Sequence, residues 1–137
     1  MKREIEFASH PGNLGLVRDF IRQFLRPISL PDLEKDLIVL GLDEACTNVI
    51  RYAYQHQCNQ PMHLVCEQLD DRIVFRLRDF GAQCPPENMQ GRPLDLVQPG
   101  GLGIHLIRRA FSSVDYLLKK QGTELVLSKT IAPPAPV

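Results

Sequence analysis

Leu42-Asp43-Glu44-Ala45-Cys46-Thr47-Asn48 decides how the rest of the chain is read. Around it Leu37, Ile38, Gly41, Leu42, Ala45, Val49 and Ala53 recur at three- and four-residue spacing, the period of a helix with a broad apolar face. Glu44 and Asn48 fall one turn apart on the edge of that face. Their side chains can therefore enter one cavity, the first as acceptor or base and the second as a neutral amide ligand. An ordinary half-exposed polar pair would look the same. A carboxylate and an amide also suit Mg²⁺, a hard cation that binds few protein oxygens and keeps most of its waters.

Upstream, Ser29-Leu30-Pro31-Asp32 offers an N-cap candidate, a first-turn proline and an early carboxylate, so the helix is expected to run to about Gln57. Before it, Leu14, Val17, Phe20, Ile21, Phe24 and Leu25 mark a second amphipathic helix, stopped by Pro27. Residues 2–8 alternate charged and apolar side chains and read as a strand, broken by His10-Pro11-Gly12-Asn13.

Downstream, strands over 62–69 and 72–78 form a hairpin across Asp70-Asp71, and Asp79-Phe80-Gly81 ends the second. Residues 80–100 hold Pro85, Pro86, Pro93 and Pro99 with Gly81, Gly91 and Gly100, a composition that opposes regular structure. A helix should begin in Gly100-Gly101-Leu102-Gly103, followed by strands over 114–119 and 124–129 joined across Gln121-Gly122. The fold expected is an α/β (α+β) two-layer sandwich: a mixed, mostly antiparallel sheet with helices on one face. Residues 1–131 make one domain, and the proline-rich 132–137 a tail.

At 137 residues the chain fits one compact domain, and its sixteen basic residues balance sixteen acidic ones. No global field favours nucleic acid or an anionic membrane, and no apolar run suits a signal peptide or membrane span, so a cytoplasmic protein is expected. Cys46, Cys58, Cys66 and Cys84 show no CxxC spacing; a zinc site from Cys58, His63 and Cys66 would lack a second ligand pair.

Asp79, at a strand end beside Gly81, can accept a hydrogen bond from an exocyclic amine such as adenine's; it can equally be a turn former. Backbone N–H groups of the glycine cluster at a helix start can seat phosphate oxygens, or the glycines can serve as a hinge. The cluster is neither a Walker loop, lacking Gly-Lys-Ser/Thr, nor a dinucleotide fingerprint, lacking the preceding strand. His105 lies just inside that helix, where a phosphate contact and a structural role are both open.

Taken in order, the acid–amide helix, the hairpin ending in Asp-x-Gly, the long loop, the glycine-rich helix start and Gly122-Thr123 resemble the GHKL-type (Bergerat) ATP-binding fold. In length and in Asp-Glu-Ala-Cys-Thr-Asn the chain is most similar to the anti-sigma-factor serine/threonine kinases of bacterial partner switching. The resemblance implies ATP and Mg²⁺ as cofactors. It implies Glu44 as the base for an acceptor serine, Asn48 as the Mg²⁺ ligand, Asp79 with Gly81 and Thr123 around adenine, and residues 82–99 as an ATP lid. Gly101, Leu102 and Gly103 would hold phosphates, with Gly100, His105 and Arg92 as further contacts. The implied partners are an anti-sigma antagonist as substrate and a sigma factor to sequester, in a homodimer by analogy, with no direct nucleic acid. Gln83 replaces a glycine common after Asp-x-Gly, and Gln98-Pro99 stands where a lid arginine is usual, leaving Arg92, Arg108 or Arg109 as substitute cations. A non-catalytic nucleotide-binding switch, a small ATPase or an orphan signalling-kinase domain are the alternatives.

Overall fold

The computed structural model describes residues 1–83 and 101–131, with the backbone alone over 101–104. Five strands, β1 (Lys2–Ala8), β2 (Pro61–Gln68), β3 (Arg72–Asp79), β4 (Ser113–Leu118) and β5 (Thr123–Thr130), form one sheet in the order β1-β2-β3-β5-β4. Three helices, α1 (Leu14–Leu25), α2 (Asp32–Asn48) and α3 (Gly101–Ala110), supply the second layer. All four strand pairings are antiparallel. The mixed sheet expected from the sequence is thus corrected, for a topological reason. β3 and β4 do run in the same direction, joined through α3, but β5 is inserted between them and separates the would-be parallel pair. Between β1 and β2 two helices carry the chain out and back, which returns it to the same end of the sheet and makes that pair antiparallel.

One face of the sheet is apolar because the strands alternate. Leu64, Cys66, Phe75, Leu77 and Leu127 are fully buried under α1, α2 and α3, whereas His63, Arg76, Arg78 and Glu124 lie on the opposite face. Phe75 sits at the centre, edge-on to Phe24 of α1 at 5.9 Å and to Phe111 at 5.7 Å. A phenylalanine buried in this way contributes roughly 1.5–3 kcal/mol by area, with about 0.5–1.5 more for such aromatic pairs. Ile38, Leu42, Ala45 and Cys46 turn the long helix onto this core, and Ile107 and Ala110 do the same for α3.

The long helix departs from expectation at both ends. Pro31 occupies the N-cap position with no side-chain cap bond, so Ser29 does not cap it, while Asp32 and Glu34 meet the positive end of the helix dipole. At the other end α2 gives way after Asn48 to a π-turn over Val49–Ala53, and Gln55 and His56 then take left-handed φ values of 50° and 65°. The helical path therefore stops short of Gln57, because two consecutive non-glycine residues in that conformation cannot continue it. Among the described residues no helix is long and apolar enough to cross a membrane.

Candidate functional site

β3 delivers Asp79 to the helix-facing side of the sheet at its last residue, opposite Thr123 at the first residue of β5. The side chain is only 4 % exposed. Gly81 N–H donates to Asp79 Oδ1 at 3.0 Å, the backbone N–H of Thr123 also bonds the carboxylate, and Arg78 lies nearby. Burial still dominates these stabilising contacts and holds the Asp79 carboxyl above its ordinary pKa.

Two glycines make this corner possible. Gly122 has φ +76°, and a Cβ there would fall 2.1 Å from the Asp79 carbonyl oxygen, so a side chain is excluded by conformation and by space. A Cβ on Gly81 would meet the Ala53 carbonyl oxygen at 2.5 Å. Close approach to the π-turn is thus a second reason for glycine there, beside the open access expected from the sequence. Ala82 N–H donates to that same Ala53 carbonyl at 2.9 Å, and Gln83 Nε2 reaches the carbonyls of Lys119 at 2.6 Å and Gly122 at 2.7 Å. Gln83, a departure from the family pattern, is thereby itself tied to the β4–β5 turn.

On α2, Glu44 and Asn48 are both half-buried. Four residues at 1.5 Å rise put them about 6 Å apart along the axis. Asn48 Oδ1 is buried without a hydrogen-bond partner, one of two such side-chain atoms among the described residues. Buried amide oxygens nearly always have a partner, so this one is open to a water, an ion or a ligand. The π-turn begins at the next residue; such local widenings concentrate at functional positions. Asp43 pairs with Arg18 of α1, whose Nη1 lies 2.8 Å from Asp43 Oδ1. The Cys46 and Cys66 thiols are pushed up to about 12 by burial, with Asp43 adding to the effect at Cys46, so neither is a nucleophile.

α3 starts at Gly101 as the glycine cluster suggested, with Gly101, Leu102 and Gly103 in its first turn and His105, Arg108 and Arg109 exposed beyond. Gly100, Arg92 and residues 84–99 of the expected lid lie outside the described residues.

The structure thus gathers Asp79, Gly81 and Thr123 at one corner and joins that corner, through Ala53, to the helix bearing Glu44 and Asn48. A cleft of about 490 Å³ opens on the other face of the sheet, lined by Glu6, His63, Arg78 and Phe80 among others, and contains none of these residues. Asp79, Glu44 and Asn48, the residues singled out from the sequence, lie on the helical side, whereas His63 Nε2, the other buried side-chain atom without a hydrogen-bond partner among the described residues, belongs to a residue of this cleft. Sequence reading missed Tyr54, whose hydroxyl ties the π-turn to the end of β3, and the Arg18–Asp43 pair. Neither has a sequence signal, since a tyrosine on an apolar stripe reads as core and an arginine on a polar face as solvated.

Comparison with known proteins shows the family and the fold. The serine/threonine-protein kinase BtrW of Bordetella bronchiseptica is 28% identical over 100 residues, 70% of each chain. Among solved structures, a Mycobacterium tuberculosis chain with RsbU and RsbW domains superposes with a TM-score of 0.70 at 15% identity, over 97% of this chain and 33% of that one. The histidine kinase domain of a blue-light-activated kinase from Erythrobacter litoralis gives 0.58 at 13% identity, over 87% and 59% of the two chains. The present chain thus spans a third of the length of the mycobacterial chain, and the likeness to both structures is one of fold. A family match, to the histidine kinase-like ATPase domain, extends over residues 7–129. With nearly all of its sequence inside that match, the chain belongs to the histidine kinase-like ATPase domain family.

Proposed function

We propose that this protein is an ATP-dependent serine/threonine kinase of the partner-switching kind, which phosphorylates an anti-sigma antagonist and sequesters a sigma factor. The observation that carries the reading is the unpartnered, buried Asn48 Oδ1 one turn from Glu44, on a helix tied to the buried Asp79 corner. Family membership supports nucleotide binding, and the likeness to BtrW supports a protein serine or threonine as acceptor.

In this reading Asp79 accepts a hydrogen bond from the exocyclic amine of adenine, with Gly81 and Thr123 shaping the seat. Phosphate oxygens meet the free N–H groups of Gly101, Leu102 and Gly103 at the start of α3. An orphan amide oxygen fits Mg²⁺, which takes few protein ligands when phosphates and water supply the rest; bound at Asn48 it would neutralise charge on the phosphates. Glu44 orients the acceptor serine and takes its hydroxyl proton. The serine oxygen then bonds to the terminal phosphorus while the bond to ADP breaks. Such transfers need positioning and charge neutralisation more than covalent chemistry.

The test is incubation of the protein with labelled ATP, Mg²⁺ and an antagonist recovered by pull-down from native lysate. Label should move to a serine or threonine of the antagonist and cease in Glu44→Ala. A wild-type protein that binds ATP and transfers no label removes the kinase reading. It would leave the second reading, a nucleotide-dependent binding switch, which Gln98-Pro99 in place of a lid arginine favours.

A further inference from the structure

Tyr54 follows the π-turn directly and is 4 % exposed. Its hydroxyl donates to the Pro61 carbonyl at 2.5 Å and accepts from the Phe80 N–H at 2.7 Å. One side chain therefore joins the end of the α2 path, the start of β2 and the residue after Asp79. The turn itself is wide, with Tyr54 N–H bonded to Val49 O at 2.9 Å, five residues back. That width brings Ala53 O to the Ala82 N–H and places the phenol beneath Phe80. Packing alone does not call for the hydroxyl, since a phenylalanine ring would fill the same space. Burial raises the pKa of the phenol, so it keeps the proton it donates to Pro61.

We propose that Tyr54 is a positioning residue for base recognition. Its hydroxyl fixes the Phe80 N–H, and through that peptide it aims the Asp79 carboxylate relative to Asn48 at the opposite end of the π-turn. The inference rests on the reading of Asp79 as acceptor of the adenine amine. Two backbone anchors follow Asp79, the Phe80 N–H held by Tyr54 and the Gly81 N–H held by Asp79 itself. Loss of the first lets the peptide after Asp79 turn to find another acceptor, because a buried N–H left unpaired is costly.

The experiment compares calorimetric affinities for MgATP and for the Mg²⁺ complex of purine riboside triphosphate, which lacks the exocyclic amine. It uses the full chain with wild-type sequence, Tyr54→Phe, Asp79→Asn and the double variant. We expect wild type to prefer ATP and Tyr54→Phe to lose about tenfold in ATP affinity while the analogue changes less than about twofold, the size of one hydrogen bond. The double variant should bind ATP no more weakly than Asp79→Asn, because the two residues act through one contact. A Tyr54→Phe protein that weakens both nucleotides equally, or neither, overturns the role of Tyr54 while the wild-type ATP preference still upholds Asp79. Equal wild-type affinity for the two nucleotides overturns the Asp79 reading and this inference with it. Should Tyr54→Phe fail to fold, 3-fluorotyrosine introduced at position 54 keeps the ring and weakens the hydroxyl as acceptor. A smaller loss confined to ATP then supports the proposal, and an unchanged ATP preference overturns it.

Discussion

At the Asp79 corner a carboxylate that is 4 % exposed is held by backbone N–H groups and flanked by two glycines that admit no side chain. Along α2, by contrast, Glu44 and Asn48 stand half-buried, and the Asn48 oxygen has no partner. The first region is satisfied within the protein; the second leaves a buried oxygen open. In the proposed function the preformed seat selects the base, because it spends no binding energy on its own ordering. An unfinished one suits catalysis, because its contacts strengthen as the reacting groups come into place.

Removing Glu44, the proposed base, should have the largest effect. Glu44→Ala is expected to lower label transfer by about 10²- to 10⁴-fold, the usual worth of a general base, with calorimetric ATP affinity nearly unchanged. An equal loss of affinity would place Glu44 in nucleotide binding and break the contrast between the two regions. Next comes the preformed corner. Gly122→Val forces a β-branched residue into φ +76° with its Cβ 2.1 Å from the Asp79 carbonyl oxygen. The expected loss is about 2 kcal/mol of folding stability or more, read from urea denaturation, with ATP binding lost alongside. A variant as stable as wild type would show that this corner adapts, and it could not then be called preformed. The smallest effect belongs to Arg18→Ala. The Arg18–Asp43 pair is partly exposed, with side chains 37% and 25% accessible, so screening limits the stability change to roughly 0.2–1 kcal/mol. Urea denaturation measures that change, and a loss well above this range would show the pair to be shielded from solvent.

The same contrast explains what could be read from the sequence. Strands β1, β2, β3, β4 and β5, both large helices and the glycine start of α3 follow from periodicity and from Gly and Pro punctuation, which are local properties. The residues Glu44, Asn48 and Asp79 were visible for the same reason, as polar side chains at defined offsets on regular elements. The π-turn was not visible, because Val49 and Ala53 keep the apolar spacing of an ordinary helix. What widens the turn is tertiary: Ala53 O finds the Ala82 N–H, and Tyr54 finds Pro61 and Phe80. The insertion of β5 between β3 and β4 escaped for a similar reason, since strand order depends on contacts far apart in the chain.

Calorimetric titration of MgATP into wild type and Asp79→Asn at neutral pH tests whether Asp79 anchors the base of ATP in this corner. Burial raises the carboxyl pKa in the folded state, so its contribution to stability is full at acid pH and lost as pH rises through the folded pKa. At neutral pH the ligand-free Asp79→Asn protein should accordingly melt no lower than wild type. Its ATP affinity should fall by about 1.5–3 kcal/mol, the worth of one charge-assisted hydrogen bond. An Asp79→Asn protein that binds MgATP as tightly as wild type would contradict the account.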